Sequence, residues 1–78
     1  MTEVKWVQIG ENAYRASDGS VICREWGLTP NGLPLNGAWV YRNSDGTMIT
    51  WNQYRNDIFE HYHIVISPST LKVIGKNV

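Results

Sequence analysis

The chain has 78 residues, and its seven Lys and Arg residues balance seven Asp and Glu residues. This length allows a single domain, 1–78, and leaves no room for a second one. Zero formal charge removes any bulk electrostatic attraction to nucleic acid or to an anionic membrane. An apolar share of 42% is too high for a disordered chain, so we expect one small folded domain.

Cysteine usage and the first residues of the chain point to a reducing compartment. Cys23 is the only cysteine, so the chain can form neither an internal disulfide nor a cysteine-based zinc site. The first fifteen residues contain no apolar run of signal-peptide length, and no segment approaches the length of a membrane span. We therefore expect a cytoplasmic protein that has no membrane partner.

The first half of the chain predicts strands and an internal repeat. Residues 3–9 are rich in β-branched residues and tryptophan, which favours a strand. Residues 14–22 then match residues 41–49 at six of nine positions, with an offset of 27 residues. Each copy predicts a β-hairpin whose two strands flank a Ser-Asp-Gly turn.

The register of the second hairpin follows from its apolar residues. A three-residue Ser-Asp-Gly loop, with the glycine at positive φ, pairs Tyr41 with Ile49 and Trp39 with Trp51. This register places all four side chains on one face, which a two-residue Asp-Gly loop does not. The same choice pairs Tyr14 with Ile22 in the first hairpin. The opposite face then carries arginine beside an apolar residue: Arg15 with Val21, and Arg42 with Met48.

The segment 27–37 between the hairpins combines turn signals with three leucines, Leu28, Leu33 and Leu35. The favoured interpretation is a compact loop that packs these leucines against the domain. The alternative is a binding loop that presents them to a partner.

The last third of the chain predicts a helix and a final hairpin. Thr50 and Gln53 fit a capping box, which predicts one helix over about 51–61. Its apolar face is formed by residues at helical spacing: Trp51, Tyr54, Ile58, Phe59 and Tyr62. The sequence then predicts two strands that flank a turn, at 63–66 and 71–74. The expected fold is α+β: a mainly antiparallel sheet, with two Ser-Asp-Gly hairpins and a C-terminal hairpin, covered by the one helix.

Side chains with catalytic or metal-binding chemistry do not combine into a recognisable site. His61 and His63 straddle the predicted helix end, which prevents their rings from sharing one strand face. Cys23 lacks a local activating motif for a nucleophile. Asp18 and Asp45 fall in turns, where Asp bonds the nearby backbone. We therefore expect a non-enzymatic protein with no metal and no cofactor.

The second hairpin carries the motif WVYRNSDGTM at residues 39–48, followed by Trp51. This stretch, about 13 of the 78 residues, resembles a repeat of the choline-binding, cell-wall-attachment family. That family stacks several shorter repeats and holds its ligand between aromatic residues of successive hairpins. In this chain the hairpins are 27 residues apart, and Ala13 stands where the first would need an aromatic residue. The resemblance therefore implies a shared hairpin type and no shared function.

The leading hypothesis is a non-enzymatic protein–protein interaction module, such as an accessory or inhibitor protein of a phage or mobile element. Trp and Tyr are favoured interface anchors, and strand-rich chains of this size leave open sheet edges. We therefore expect a protein partner or a homodimer. The candidate binding residues lie on the loop and on the outer sheet face: Leu28, Leu33, Leu35, Val40, Arg42, Met48 and Arg15.

The alternative hypothesis is a single-stranded nucleic-acid-binding module. Arg15 and Arg42 occupy equivalent positions of the repeat, and aromatic rings beside arginines can stack on exposed bases. A nucleic-acid-binding domain usually has a clear excess of basic residues, which this chain lacks. Nucleic acid is therefore the less favoured partner.

Overall fold

The computed structural model describes residues 4–67, which form one six-stranded sheet with one helix on it. The α+β prediction is confirmed, with an antiparallel sheet as its main element. The helix is α1 (Arg55–His61), whose seven residues are too few to span a membrane, and residues 4–67 contain no longer helix. The strands are β1 (Trp6–Gly10), β2 (Ala13–Ala16), β3 (Val21–Glu25), β4 (Ala38–Arg42), β5 (Met48–Asn52) and β6 (Ile66–Ser67).

The strand order is β5-β4-β3-β2-β1-β6, so five consecutive strands form an antiparallel meander. β6 pairs in parallel with β1 and forms one edge of the sheet, and β5 forms the other edge. Of the predicted C-terminal hairpin, the first strand is reduced to β6, and the second strand, 71–74, lies outside the described residues. The sheet therefore has an open side at β5 within the described part of the chain.

The two Ser-Asp-Gly turns have the same geometry, as the repeat predicts. Gly19 and Gly46 have φ values of 94° and 92°. Each glycine N–H donates to the carbonyl three residues earlier, on Ala16 and on Asn43, at 3.0 Å. This is the three-residue loop with glycine in the left-handed region, so that prediction is confirmed.

The aspartates of both turns act locally, as expected. Asp18 Oδ1 accepts the backbone N–H of Ser20, and Asp45 Oδ1 accepts both the backbone N–H and the hydroxyl of Thr47. These hydrogen bonds stabilise the ionised carboxylates, so the pKa of each aspartate is lowered. Both side chains are committed to turn formation.

Gly46→Val is expected to lower the free energy of unfolding by about 1–2 kcal/mol, because a β-branched residue is strained at positive φ. A Cβ at Gly46 would meet no heavy atom within 4 Å, so this variant isolates backbone strain. At Gly19 the added Cβ would lie 3.0 Å from the Cβ of Ser44, so Gly19→Val should cost more. Urea unfolding curves measure both values. Equal stability of Gly46→Val and the wild type would contradict the left-handed assignment.

The register of the second hairpin is only partly as predicted. The pair Arg42 and Met48 is present, as is Tyr14 opposite Ile22 in the first hairpin. A bulge next to Arg42 then shifts β5 by one residue, so Tyr41 pairs with Thr50 instead of Ile49.

The same shift makes the predicted pair of Trp39 and Trp51 wrong. Trp39 lies opposite Asn52, and Trp51 lies opposite Val40 on the other face. A one-residue slip moves every side chain to the opposite face of a strand. The prediction failed because it assumed one buried face, whereas this sheet buries apolar residues on both faces.

The helix begins later than the 51–61 prediction. Thr50 and Trp51 belong to β5, and α1 starts at Arg55 with Tyr54 in an extended N-cap conformation and no side-chain cap. The predicted capping box is therefore wrong. Asn52 Oδ1 instead accepts the backbone N–H of Tyr54 at 2.8 Å and forms the turn into the helix.

Two hydrophobic cores lie on opposite faces of the sheet. The larger core lies between the sheet and α1, and its buried members are Trp6, Tyr14, Ala16, Ile22 and Ile58. Edge-to-face ring contacts surround it, among them Tyr14 with Phe59 at 5.2 Å between centroids. The smaller core comprises Leu35, Ala38 and Val40, with Met48 packed against them. The segment 27–37 contributes to this second core through Leu35.

Candidate interaction surface

The loop 27–37 has an ordered internal structure that is organised by buried Thr29. The backbone N–H of Thr29 donates to the Leu33 carbonyl at 2.8 Å, and its hydroxyl accepts the backbone N–H of Leu33 at 3.0 Å. Leu28 and Pro34 form an isolated β-bridge around this turn. The backbone at Leu33 is therefore held in place while its side chain faces solvent.

The three leucines of this loop have different environments. Leu35 is 4% exposed and packs in the smaller core, whereas Leu33 is 54% exposed and Leu28 is also exposed. The packed interpretation of the loop therefore holds for Leu35, whereas the binding interpretation stays a prediction for Leu28 and Leu33. Leu35 forms the packed base, and the other two leucines are presented to solvent.

The structure corrects two of the candidate binding residues. Val40 has no exposed surface and Leu35 is buried beside it, so neither side chain can contact a partner without unfolding the smaller core. Met48 is half-buried against the same core. Leu28, Leu33 and Arg15 are exposed and stay as candidates.

A contact between Arg24, Trp26 and Gly37 fixes the start and end of the loop. Arg24 Nε donates to the Gly37 carbonyl at 2.8 Å, and its guanidinium lies 5.0 Å from the ring centroid of Trp26. Gly37 has a φ of 86°, and a Cβ there would lie 2.6 Å from an Arg24 nitrogen. The positive φ therefore favours glycine at this position, and any side chain there would also have to displace the Arg24 guanidinium.

A cavity of about 620 Å³ separates the loop from the junction between β5 and α1. Its lining residues are Pro34, Leu35, Asn36, Trp51, Asn52, Gln53, Tyr54 and Asp57. β3 ends, β4 begins and β5 ends on this side of the sheet, so the exposed apolar residues of these segments lie at the same end. We call the set the loop-end surface: Trp26, Leu28, Leu33, Trp51 and Tyr54.

Arg42 on the outer face of the sheet is committed to an ion pair. Its Nε and one terminal nitrogen donate to the two carboxylate oxygens of Glu25, both at 2.8 Å. The other terminal nitrogen donates to the Gly46 carbonyl at 2.9 Å. Three of its five N–H donors are thus engaged, and the adjacent Glu25 carboxylate weakens the attraction of Arg42 for an external anion.

The hydrogen bonds from Arg42 lower the pKa of Glu25, and they outweigh the opposing effect of burial. A lowered folded-state pKa means that the ionised pair stabilises the fold above the ordinary glutamate pKa and loses this contribution as the pH falls. Glu25→Gln should therefore cost about 1–2 kcal/mol at pH 7, and this cost should shrink as the pH falls through the lowered pKa of Glu25. Urea unfolding at pH 7 and pH 3 measures this difference. A cost that is equal at both pH values would contradict the ion-pair account.

The surroundings of Cys23 and of the two histidines give no support to a cysteine nucleophile or to a metal site. Cys23 is half-buried with its Sγ 3.9 Å from Glu25 Oε2, and burial followed by this nearby charge raises the thiol pKa. His61 lies in the last turn of α1, and His63 follows the helix at a φ of 55°. Within residues 4–67, no group of three His, Cys, Asp or Glu side chains could hold a metal ion.

The sheet separates the arginines of the outer face from most of the aromatic rings. Trp39 and Tyr41 pack beneath α1, where the Arg55 guanidinium lies 5.6 Å from the Tyr14 ring centroid. Arg15 and Arg42 both pair with Val21 and so lie on the other face, two strands apart. Arg15 and Arg42 therefore do not lie beside Trp39 and Tyr41, as the nucleic-acid hypothesis would require.

Sequence reasoning missed most of the loop-end surface. The helical spacing assigns Trp51 and Tyr54 to the apolar face of a helix. The bulge in β5 instead places Trp51 on the outer face of the sheet, and Tyr54 is the exposed N-cap residue of α1. A usable signal was present in β5, because its five residues include neither a charged residue nor proline. Such a strand is typical of a sheet interior, although β5 forms an edge.

Comparisons with protein-family models, with curated proteins and with solved structures found no match. The resemblance of residues 39–51 to choline-binding repeats is therefore not extended to function. Two rings of that motif, Trp39 and Tyr41, pack against the core under α1. Functional inference rests on the geometry of this chain.

Proposed function

We propose that this protein is a non-enzymatic protein–protein interaction module and that its partner binds the loop-end surface. The observation that carries the proposal is that five large apolar side chains are exposed at one end of the sheet, where Trp51 and Tyr54 also line the cavity of about 620 Å³. Groups of large exposed apolar side chains often mark sites of protein interaction. Tryptophan and tyrosine are also the residues that most often anchor interfaces.

The order of the loop supports this proposal. The Thr29 hydrogen bonds and the contact between Arg24 and Gly37 hold the backbone that presents the exposed leucines. A loop that is already ordered loses less conformational entropy on binding. We place the interaction in the cytoplasm, in keeping with a single cysteine whose thiol is half-buried.

The nucleic-acid alternative has weaker support. Arg42 is bound to Glu25, most of the aromatic rings lie on the other face from Arg15, and the net charge of the chain is zero. Phosphate contacts supply most of the affinity of non-specific nucleic-acid binding, so few free arginines mean weak binding. A protein is therefore the proposed partner.

Affinity capture from the source cell, followed by mass spectrometry and nucleic-acid detection, tests the proposal. We expect the wild type and Arg15→Ala to capture the same protein, and Leu33→Asp to lose it. Leu33 and Arg15 are both exposed, so neither variant should unfold the domain, which circular dichroism melts can verify. Loss of the partner with Arg15→Ala but not with Leu33→Asp would contradict the proposal.

A fluorescence-anisotropy titration with labelled single strands at two salt concentrations tests the alternative directly. We expect negligible binding at physiological salt. Nucleic-acid binding through about three phosphate contacts would instead show a log–log salt slope near −2. Micromolar binding with that slope, abolished in Arg15→Ala, would replace the protein-binding proposal.

A further inference from the structure

Among residues 4–67, the outer edge of β5 has no pairing partner for its backbone groups, and this edge lies beside the loop-end surface. β5 is the last strand in the sheet order, and none of residues 4–67 forms a strand along its outer side. Natural edge strands usually carry charges, proline or bulges that block pairing with another chain. β5 has a bulge near its Met48 end, but the stretch from Thr50 to Asn52 has none of these features.

A groove lies beside this edge on the helix side. A second cavity, of about 330 Å³, is lined by Thr50, Asn52, Asp57, Ile58, His61 and Tyr62. Asn52 and Asp57 also line the larger cavity, so the two cavities are adjacent. Thr50 and Asn52 face α1, since they pair with Tyr41 and Trp39. A strand added to β5 would therefore have a groove beneath its helix-facing side chains.

The negative charge of Asp57 in this groove favours a segment with basic side chains over one with acidic side chains. Asp57 lines both cavities, and among residues 4–67 its carboxylate has no hydrogen-bond or ion-pair partner. No lysine or arginine of the described chain lines either cavity. An incoming cationic side chain is therefore complementary to Asp57, whereas an acidic one is repelled.

We propose that the partner is another protein that adds an extended segment of alternating basic and apolar residues to the edge of β5. Successive side chains of a strand point to opposite faces. The basic side chains would therefore meet Asp57 on the helix side, and the apolar ones would meet Trp51 on the loop side. This inference rests on the proposed function, because it names the chemistry of the partner at the same surface.

A second copy of this chain fits the groove less well. Antiparallel pairing of β5 with its copy places both α1 helices on the same face of the joined sheet. β5 of the copy contains neither lysine nor arginine, so it brings no cationic side chain to Asp57. The charge of the groove therefore favours a basic segment of a different protein over homodimer formation.

Panning the folded protein against a display library of random linear nine-residue peptides tests this inference. We expect the enriched peptides to alternate basic and apolar residues. Asp57→Asn should weaken their binding about threefold, and Glu60→Gln should not change it. Glu60 is the matched control because it is an exposed acid on α1 that lines neither cavity. Enrichment of peptides without basic residues, or no enrichment, would overturn the inference.

A second matched pair tests strand addition itself. Ile49→Lys puts a charge on the β5 edge and should weaken peptide binding at least about tenfold. Ile9→Lys on β1 is the control, because Ile9 is 52% exposed and Ile49 is 41% exposed. If Leu33→Asp abolished peptide binding and Ile49→Lys did not change it, strand addition would be overturned and the proposed function would still stand. If light scattering showed a dimer for the wild type and a monomer for Ile49→Lys, the β5 edge would bind a second copy of this chain. That result would overturn the inference.

Discussion

Tyr14→Ala is expected to lower the free energy of unfolding by about 3–5 kcal/mol, the usual cost of removing a buried aromatic ring. Tyr14 is 3% exposed, and its ring contacts Phe59 and Trp39 at centroid distances of 5.2 and 5.9 Å. The Arg55 guanidinium lies over the same ring and donates to its hydroxyl. A domain of this size has a stability of roughly 4–12 kcal/mol, so urea unfolding should show a largely destabilised variant.

Tyr14→Phe is the matched control for this variant. It retains the ring and its packing and loses the hydroxyl that accepts from Arg55, so a cost of about 1 kcal/mol is expected. The difference between the two variants measures the contribution of the ring. If both variants had the same urea midpoint, the ring could not be a central part of the core.

Leu35→Ala is expected to lower the free energy of unfolding by about 2–4 kcal/mol, because Leu35 is buried with Ala38 and Val40 in the smaller core. Leu33→Ala, two residues earlier in the same loop, should change it by less than about 0.5 kcal/mol. Both variants replace leucine by alanine in the same loop, so the difference between their costs measures the effect of burial. Urea unfolding of both variants gives the comparison, and similar costs would contradict the division of the loop into a packed base and presented leucines.

Local features of the fold could be predicted from the sequence. The Ser-Asp-Gly turns depend on a glycine at positive φ and on aspartate hydrogen bonds within three residues, so short-range chemistry determines them. The pairing of Tyr14 with Ile22 follows from the first turn. The helix start could not be predicted in the same way, because the spacing of Trp51 and Tyr54 suits a helix equally well and pairing with β4 outweighs it.

The candidate surface was less predictable because it depends on contacts distant in sequence. An irregular loop has no periodicity, so nothing in the sequence distinguishes the buried Leu35 from the exposed Leu33. The ion pair that occupies Arg42 joins it to Glu25, 17 residues away on the neighbouring strand. A single bulge decides which face Trp51 occupies, and no residue in β5 marks that bulge.

Amide hydrogen exchange, measured on the protein alone and with its captured partner, tests the central claim most directly. We predict that binding slows exchange in two segments, 26–37 and 48–57, which contain the loop-end surface and the β5 edge. Residues 13–25, which include Arg15 and lie in the middle of the sheet, should be unchanged. Protection confined to residues 13–25, with none in the loop or in β5, would contradict the account.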